Sequence, residues 1–152
     1  MTGFDFDFAL LLENAILVFV AFLLALPVGW ERQRAHRPAG LRTFPIVAIA
    51  CCVFVLFAQE VFPGEAEAQS RVIQGLITGM GFIGGGAILK GPEGESVHGV
   101  TTAASLWTMA ALGAAVAFRR FELALLLSAF NIVILRWLAP LFGERKDRTP
   151  ID

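Results

Sequence analysis

Little in this chain can do chemistry, and what can is concentrated. Four arginines, Arg32, Arg34, Arg37 and Arg42, fall within the segment Glu31 to Thr43. Lys90, Thr101 and Thr102 lie at the ends of later apolar runs that should return to the same side. Helices beginning near Thr43 and Thr101 would point their N-termini at this cluster. A helix N-terminus carries about half a positive charge and free N–H groups. Combined with arginine and lysine, that makes an anion site, suited to phosphate groups or an acidic lipid headgroup. Glu31, Arg32, Arg37, Arg42, Thr43, Lys90, Thr101 and Thr102 are the candidate residues. The competing reading is a basic loop that sets membrane orientation and touches lipid.

Other chemistries lack their parts. His36 and His98 are single histidines in loops, with no metal-ligand spacing around them, so no metal is expected. No nucleophile–base pair, P-loop or paired buried carboxylates can be found, so neither an enzyme nor a cofactor is expected. Gly79-Met80-Gly81-Phe82-Ile83-Gly84 matches G-x-G-x-x-G, the dinucleotide fingerprint. That motif requires a preceding strand and an acidic residue about 20 positions on, and Glu93 and Glu95 come too early. Cys51 and Cys52 are adjacent and would point apart on a helix, which makes them small apolar residues rather than a bridge. Nothing suggests a nucleic-acid partner.

The segments that position these residues are apolar. Of 152 residues, 57% are hydrophobic and 16% charged, against about 25% charged in ordinary soluble domains. The charges cluster, leaving long uncharged runs, which is the pattern of an integral membrane protein. The N-terminus has no basic segment and its first apolar run is too long for a cleaved leader. Five spans are predicted: Phe8 to Trp30, Phe44 to Phe62, Arg71 to Leu89, Val100 to Phe118 and Phe121 to Leu141. Thr43, Ser70 and Thr101 or Thr102 are the expected helix caps. The predicted domain is 1–142, with a short charged tail at 143–152. Arg32, Arg34, Arg37, Arg42, Lys90, Arg136, Arg145, Lys146 and Arg148 fall on one side, and Arg71, Arg119 and Arg120 on the other. The positive-inside rule then puts the basic segment and the C-terminus in the cytoplasm and the N-terminus outside. Arg119-Arg120 is the misfit.

The third span carries six glycines, Gly75, Gly79, Gly81, Gly84, Gly85 and Gly86. In water each would cost a helix about 1 kcal/mol relative to alanine. In hydrocarbon, unpaired backbone is costlier still, so the chain stays helical and small residues admit a neighbour. The expected fold is an all-α polytopic bundle of about five transmembrane helices. Its glycine-rich third helix should be central, with the glycine triplet as a point where it can break. The fourth span, dense in small residues around Gly113, should pack backbone to backbone on the third. Trp107 reads as a packing residue. Asn131, a lone amide at mid-membrane, reads as a hydrogen-bonding group between helices. Glu13 reads as an interfacial carboxylate that snorkels.

Three ordered groups remain: Gly29-Trp30-Glu31-Arg32 with Pro38-Ala39-Gly40-Leu41-Arg42-Thr43; Gln74-Gly75 with Gly79 through Lys90; and His98-Gly99-Val100-Thr101-Thr102 through Trp107. In these the chain resembles the MgtC/SapB family of bacterial membrane proteins, over roughly residues 10 to 140. Phe44 stands where the family commonly has histidine, and His98 where it commonly has arginine. Longer family members add a soluble C-terminal domain after the fifth span. The resemblance implies an inner-membrane location and a link to growth at low magnesium. For virulence-associated members it implies survival inside host cells and restraint of the membrane ATP synthase rather than magnesium transport.

The functional expectation is a non-enzymatic regulator whose arginine-rich cytoplasmic face binds a lipid, an anion or a membrane partner such as ATP synthase. Its small-residue faces are compatible with a homodimer. The rival is a small transporter or channel lined by a discontinuous glycine-rich helix. Mid-depth carboxylates, usual for cation transport, are missing from spans two to five.

Overall fold

The computed structural model describes residues 7–37, 39–90 and 97–138, with the backbone alone for Leu89 and Lys90. Pro38, most of the Lys90–Gly99 loop, the end of the fifth span and the 143–152 tail lie outside the described residues. Five helices run up and down: α1 (Phe8–Arg34), α2 (Thr43–Val61), α3 (Ala66–Gly86), α4 (Val100–Ala117) and α5 (Phe121–Val133), with α5 continuing as a π-helical turn, Ile134–Leu138. Leu89–Lys90 pairs antiparallel with Val97–His98, a two-residue ladder between α3 and α4.

The molecule is an all-α membrane bundle. By length and composition, four helices are apolar enough to cross a membrane: Phe8–Arg34, Thr43–Val61, Val100–Ala117 and Phe121–Leu138. Large apolar side chains such as Phe8, Phe19, Phe54, Phe57, Leu125 and Phe130 point outward, as a lipid solvent permits. The helix α3 has 21 residues, about 31 Å of rise, but Glu67, Gln69, Arg71 and Gln74 lie in its first half.

Several helix boundaries differ from expectation. α1 does not stop at Trp30 but runs to Arg34, so Glu31 and Arg32 are helical rather than looped. Arginine in a last turn is favoured by the helix dipole. Its other end is capped by Asp7, whose Oδ1 accepts from the N–H groups of Ala9 (2.9 Å) and Leu10 (3.1 Å). Thr43 is not a cap; it is the first residue of α2, and its N–H and that of Phe44 donate to the Gly40 carbonyl at 3.0 and 3.1 Å. Ser70 lies inside α3, which begins at Ala66. Neither Thr101 nor Thr102 caps α4; Gly99 does, at φ +91°, a conformation L side chains rarely adopt.

The central helix is α4, which packs on α1, α2, α3 and α5, whereas α3 packs mainly on α4 and α2. This corrects the expectation for α3. A Cβ placed on Gly75, Gly79, Gly81, Gly85 or Gly86 would meet nothing within 4 Å. Gly84 alone of the six faces a neighbour, 3.6 Å from the Ala103 Cβ. The helix is also unbroken: Gly84-Gly85-Gly86 is its last stretch, closed by the Ala87 N–H on the carbonyls of Ile83 and Gly84, both 3.1 Å. The backbone-to-backbone approach occurs instead between α4 and α2. A Cβ on Gly113 would lie 2.2 Å from the Ala48 carbonyl oxygen and 3.0 Å from the Cys52 nitrogen. Around that crossing sit Val28, Phe44, Cys52, Val55, Leu106, Met109, Leu112 and Val116, all less than 2% exposed or nearly so. Packing selects the helix whose small residues leave α4's own Leu106, Met109 and Leu112 able to fill the space between its neighbours. A glycine-rich helix brings too little side chain to fill it.

Candidate functional site

At the arginine-bearing end the last turn of α1 carries Glu31 and Arg32 in different directions. Arg32 turns inward and is 5% exposed. Its Nη2 donates to the Oγ1 of Thr102, itself 2% exposed, in the first turn of α4. Its Nε is buried with no acceptor. Burying a guanidinium costs several kcal/mol unless it is well compensated. A hydroxyl is the one side-chain acceptor it has among the described residues. Glu31 turns toward α5, where Arg136 Nη1 lies 3.9 Å from its carboxylate.

Two close approaches hold the following turn against α1. A Cβ on Gly29 would lie 3.2 Å from the Leu41 Cα, and one on Gly40 would lie 2.6 Å from the Gln33 Oε1. His36, at φ +52°, reverses the chain after the helix, and the Arg37 N–H donates to the Arg32 carbonyl at 3.2 Å. Arg37 and Thr43 are half-buried, while Arg34 and Arg42 are exposed. Thr101 is half-buried beside Thr102. The Lys90 backbone pairs with Val97, and its side chain is outside the described residues. At Gly99 a Cβ would lie 1.9 Å from the Ala87 carbonyl oxygen, so the end of α3 is pressed against the start of α4. Of the two helix starts expected to offer N–H groups, α2 uses those of Thr43 and Phe44 internally and has proline at Pro45. The start of α4 has no side-chain cap, and its first backbone bond is the Ala103 N–H to the Gly99 carbonyl, 2.9 Å.

The opposite end is electrostatically different. Arg119 pairs with Glu13, Arg120 with Glu122, and Arg71 with Glu67 (2.7 Å). Asn14 Nδ2 donates to Glu60 Oε1 at 2.5 Å. The arginines that strain the orientation count are thus matched by carboxylates.

Inside the bundle, Asn131 is 6% exposed and its Nδ2 donates to Thr108 Oγ1, which donates to the Ser105 carbonyl at 2.7 Å. Ser128, not singled out from sequence, donates to the Leu24 carbonyl at 2.7 Å and ties α5 to α1. It lies one helical turn before Asn131, and that spacing was the available signal. Trp107 is not a core residue: it is 47% exposed and lines an apolar groove with Ile73, Leu76, Ile77, Met80 and Ala111. Among the described residues no three His, Cys, Asp or Glu side chains gather.

Fold and site together define a polytopic helical membrane protein with an arginine set into one end. A family model described as the MgtC family matches residues 18–143, and the chain belongs to that family. The protein SrpB of Synechococcus elongatus is 36% identical over 129 residues, covering 78% of this chain and 70% of SrpB. The MgtC protein of Brucella abortus is 40% identical over 121 residues, covering 80% of this chain and 49% of that protein. The MgtC protein of Salmonella typhimurium is 37% identical over 118 residues, covering 78% and 48% respectively. The chain therefore spans about half the length of these MgtC proteins. No solved structure matches.

Proposed function

We propose that this chain is a non-catalytic regulator of the bacterial inner membrane that engages an anionic group or an acidic partner surface through its arginine-bearing, cytoplasmic end. One observation carries the reading: the two ends of the bundle treat arginine differently. Arg71, Arg119 and Arg120 each have a carboxylate partner. At the other end Glu31 is the one carboxylate among the described residues, 3.9 Å from Arg136, while Arg34 and Arg42 stand exposed. By family resemblance, the setting is adaptation to low magnesium, with virulence in some members and a membrane complex such as ATP synthase as the partner. The exposed glycines of α3 leave a surface on which a second copy could pack. The channel reading required a broken glycine-rich helix in the middle of the bundle; α3 is unbroken and lies at the edge.

The test is complementation in a strain lacking the protein, grown at limiting magnesium. Arg34→Gln/Arg42→Gln, both exposed, should accumulate in the membrane to wild-type level in unchanged orientation, yet lose growth support and co-purifying membrane partners. Undiminished growth with the same co-purifying proteins would remove the reading.

A further inference from the structure

Arg32 is aimed at the wrong end of a helix. The guanidinium is positive, and so is the N-terminus of α4, which carries about half an elementary charge. Thr102, its acceptor, is the third residue of that helix. Like charges placed together out of water repel, and each would be better served by an anion between or beside them. The protein supplies donors for that anion. Gly99 offers no side chain to the helix start, and among the described residues the N–H groups of Val100 and Thr101, ahead of the first backbone bond, have no acceptor. The Arg32 Nε is a second, independent donor, buried and without an acceptor in a residue that is 95% enclosed. An unmet buried donor of a charged group is costly enough that native proteins rarely keep one. Val100 is exposed and Thr101 half-buried, so this turn is reachable from outside the bundle.

We infer that Arg32 and the first turn of α4 form a socket for one phosphate group, presented either by an anionic lipid headgroup or as free phosphate. The inference rests on the anionic-ligand reading above and gives it a ligand chemistry and a position. A guanidinium donates charge-assisted N–H bonds to phosphate oxygens, and an open helix N-terminus supplies backbone N–H groups to the same phosphate from another side. A carboxylate would satisfy Arg32 as well, but its two oxygens lie in one plane, whereas the tetrahedral oxygens of a phosphate, two of them unesterified even in a lipid headgroup, can face the arginine and the helix from different sides. Lysine keeps the charge at this position and loses the fork.

The experiment uses the purified full chain and follows its thermal unfolding midpoint. In one arm inorganic phosphate is titrated into detergent-solubilised protein, against chloride at matched ionic strength. In the other, the protein sits in nanodiscs of phosphatidylcholine alone or with phosphatidylglycerol. The wild-type midpoint should rise saturably in at least one arm, and which arm responds identifies the source of the phosphate. Arg32→Lys should need about tenfold more ligand for the same rise, the loss expected for one charge-assisted hydrogen bond. Arg32→Gln should show no rise; if it does not fold, Arg32→Lys decides. A folded wild type that responds in neither arm overturns the socket, as does Arg32→Lys titrating like wild type. If the socket fails while Arg34→Gln/Arg42→Gln still abolishes growth support, the regulatory reading survives it. Saturable binding through Arg32 in a protein whose growth support ignores Arg34 and Arg42 upholds the socket and removes that reading.

Discussion

Asn131, at the middle of an apolar run, and Arg32, just past the end of one, are both polar, and they have opposite outcomes. Asn131 finds a partner on the neighbouring helix, Thr108, which passes its own proton donor to the Ser105 carbonyl. Such bonds in membrane bundles average about 0.6 kcal/mol and reach about 1.7. Asn131→Leu and Thr108→Val should therefore each lower stability by about 0.5 to 1.5 kcal/mol, and the double variant by less than the sum. Reversible unfolding in mixed micelles measures this; full additivity would mean that the two side chains do not act together. A lone amide in a hydrocarbon-length run announces itself, so Asn131 was readable from sequence. Arg32 was readable only as one of several basic residues. Its burial depends on α1 continuing one turn past Trp30, which brings position 32 under α4 while Arg34 stays exposed.

Among the helices, glycine has two different meanings here. Gly113 lets α2 and α4 touch through backbone, so Gly113→Val would push the Ala48 carbonyl away and overpack the centre. A loss of about 3 kcal/mol, at the upper end for overpacked cores, should show as little folded protein. Gly79→Ala places a methyl where nothing lies within 4 Å, and should leave stability unchanged or raise it by up to about 1 kcal/mol. The pair is read by thermal unfolding in the same detergent. Equal losses from both would mean that the glycine face of α3 is enclosed after all. Counting small residues marked both helices as suited to close approach. It could not say which partner each would choose, because that depends on how Leu106, Met109 and Leu112 fill the space between α1, α2 and α5.

For the whole molecule, the described residues of the two ends differ in how charge is compensated, and the proposed orientation in the membrane is open to a direct test. Arg34→Cys should resist a membrane-impermeant thiol reagent in intact spheroplasts and react after permeabilisation, whereas Glu65→Cys should react in both. Both positions are exposed, and the native Cys51 and Cys52 are buried, at 4% and 0% exposure. Labelling of Arg34→Cys without permeabilisation would reverse the orientation and place the arginine-bearing end outside.

Hydropathy and charge act residue by residue along a chain, and they determined what could be read directly: lipid as solvent, an up-and-down helical bundle, and basic residues gathered at one end. The family motifs were likewise local, and their match to the MgtC family extends across residues 18–143. Which helix stands in the middle, and which arginine is drawn inside, are properties of faces rather than of segments. A run of glycines permits a close neighbour without requiring one, and only the complete set of side-chain volumes around α4 leaves α3 at the edge and Arg32 against Thr102.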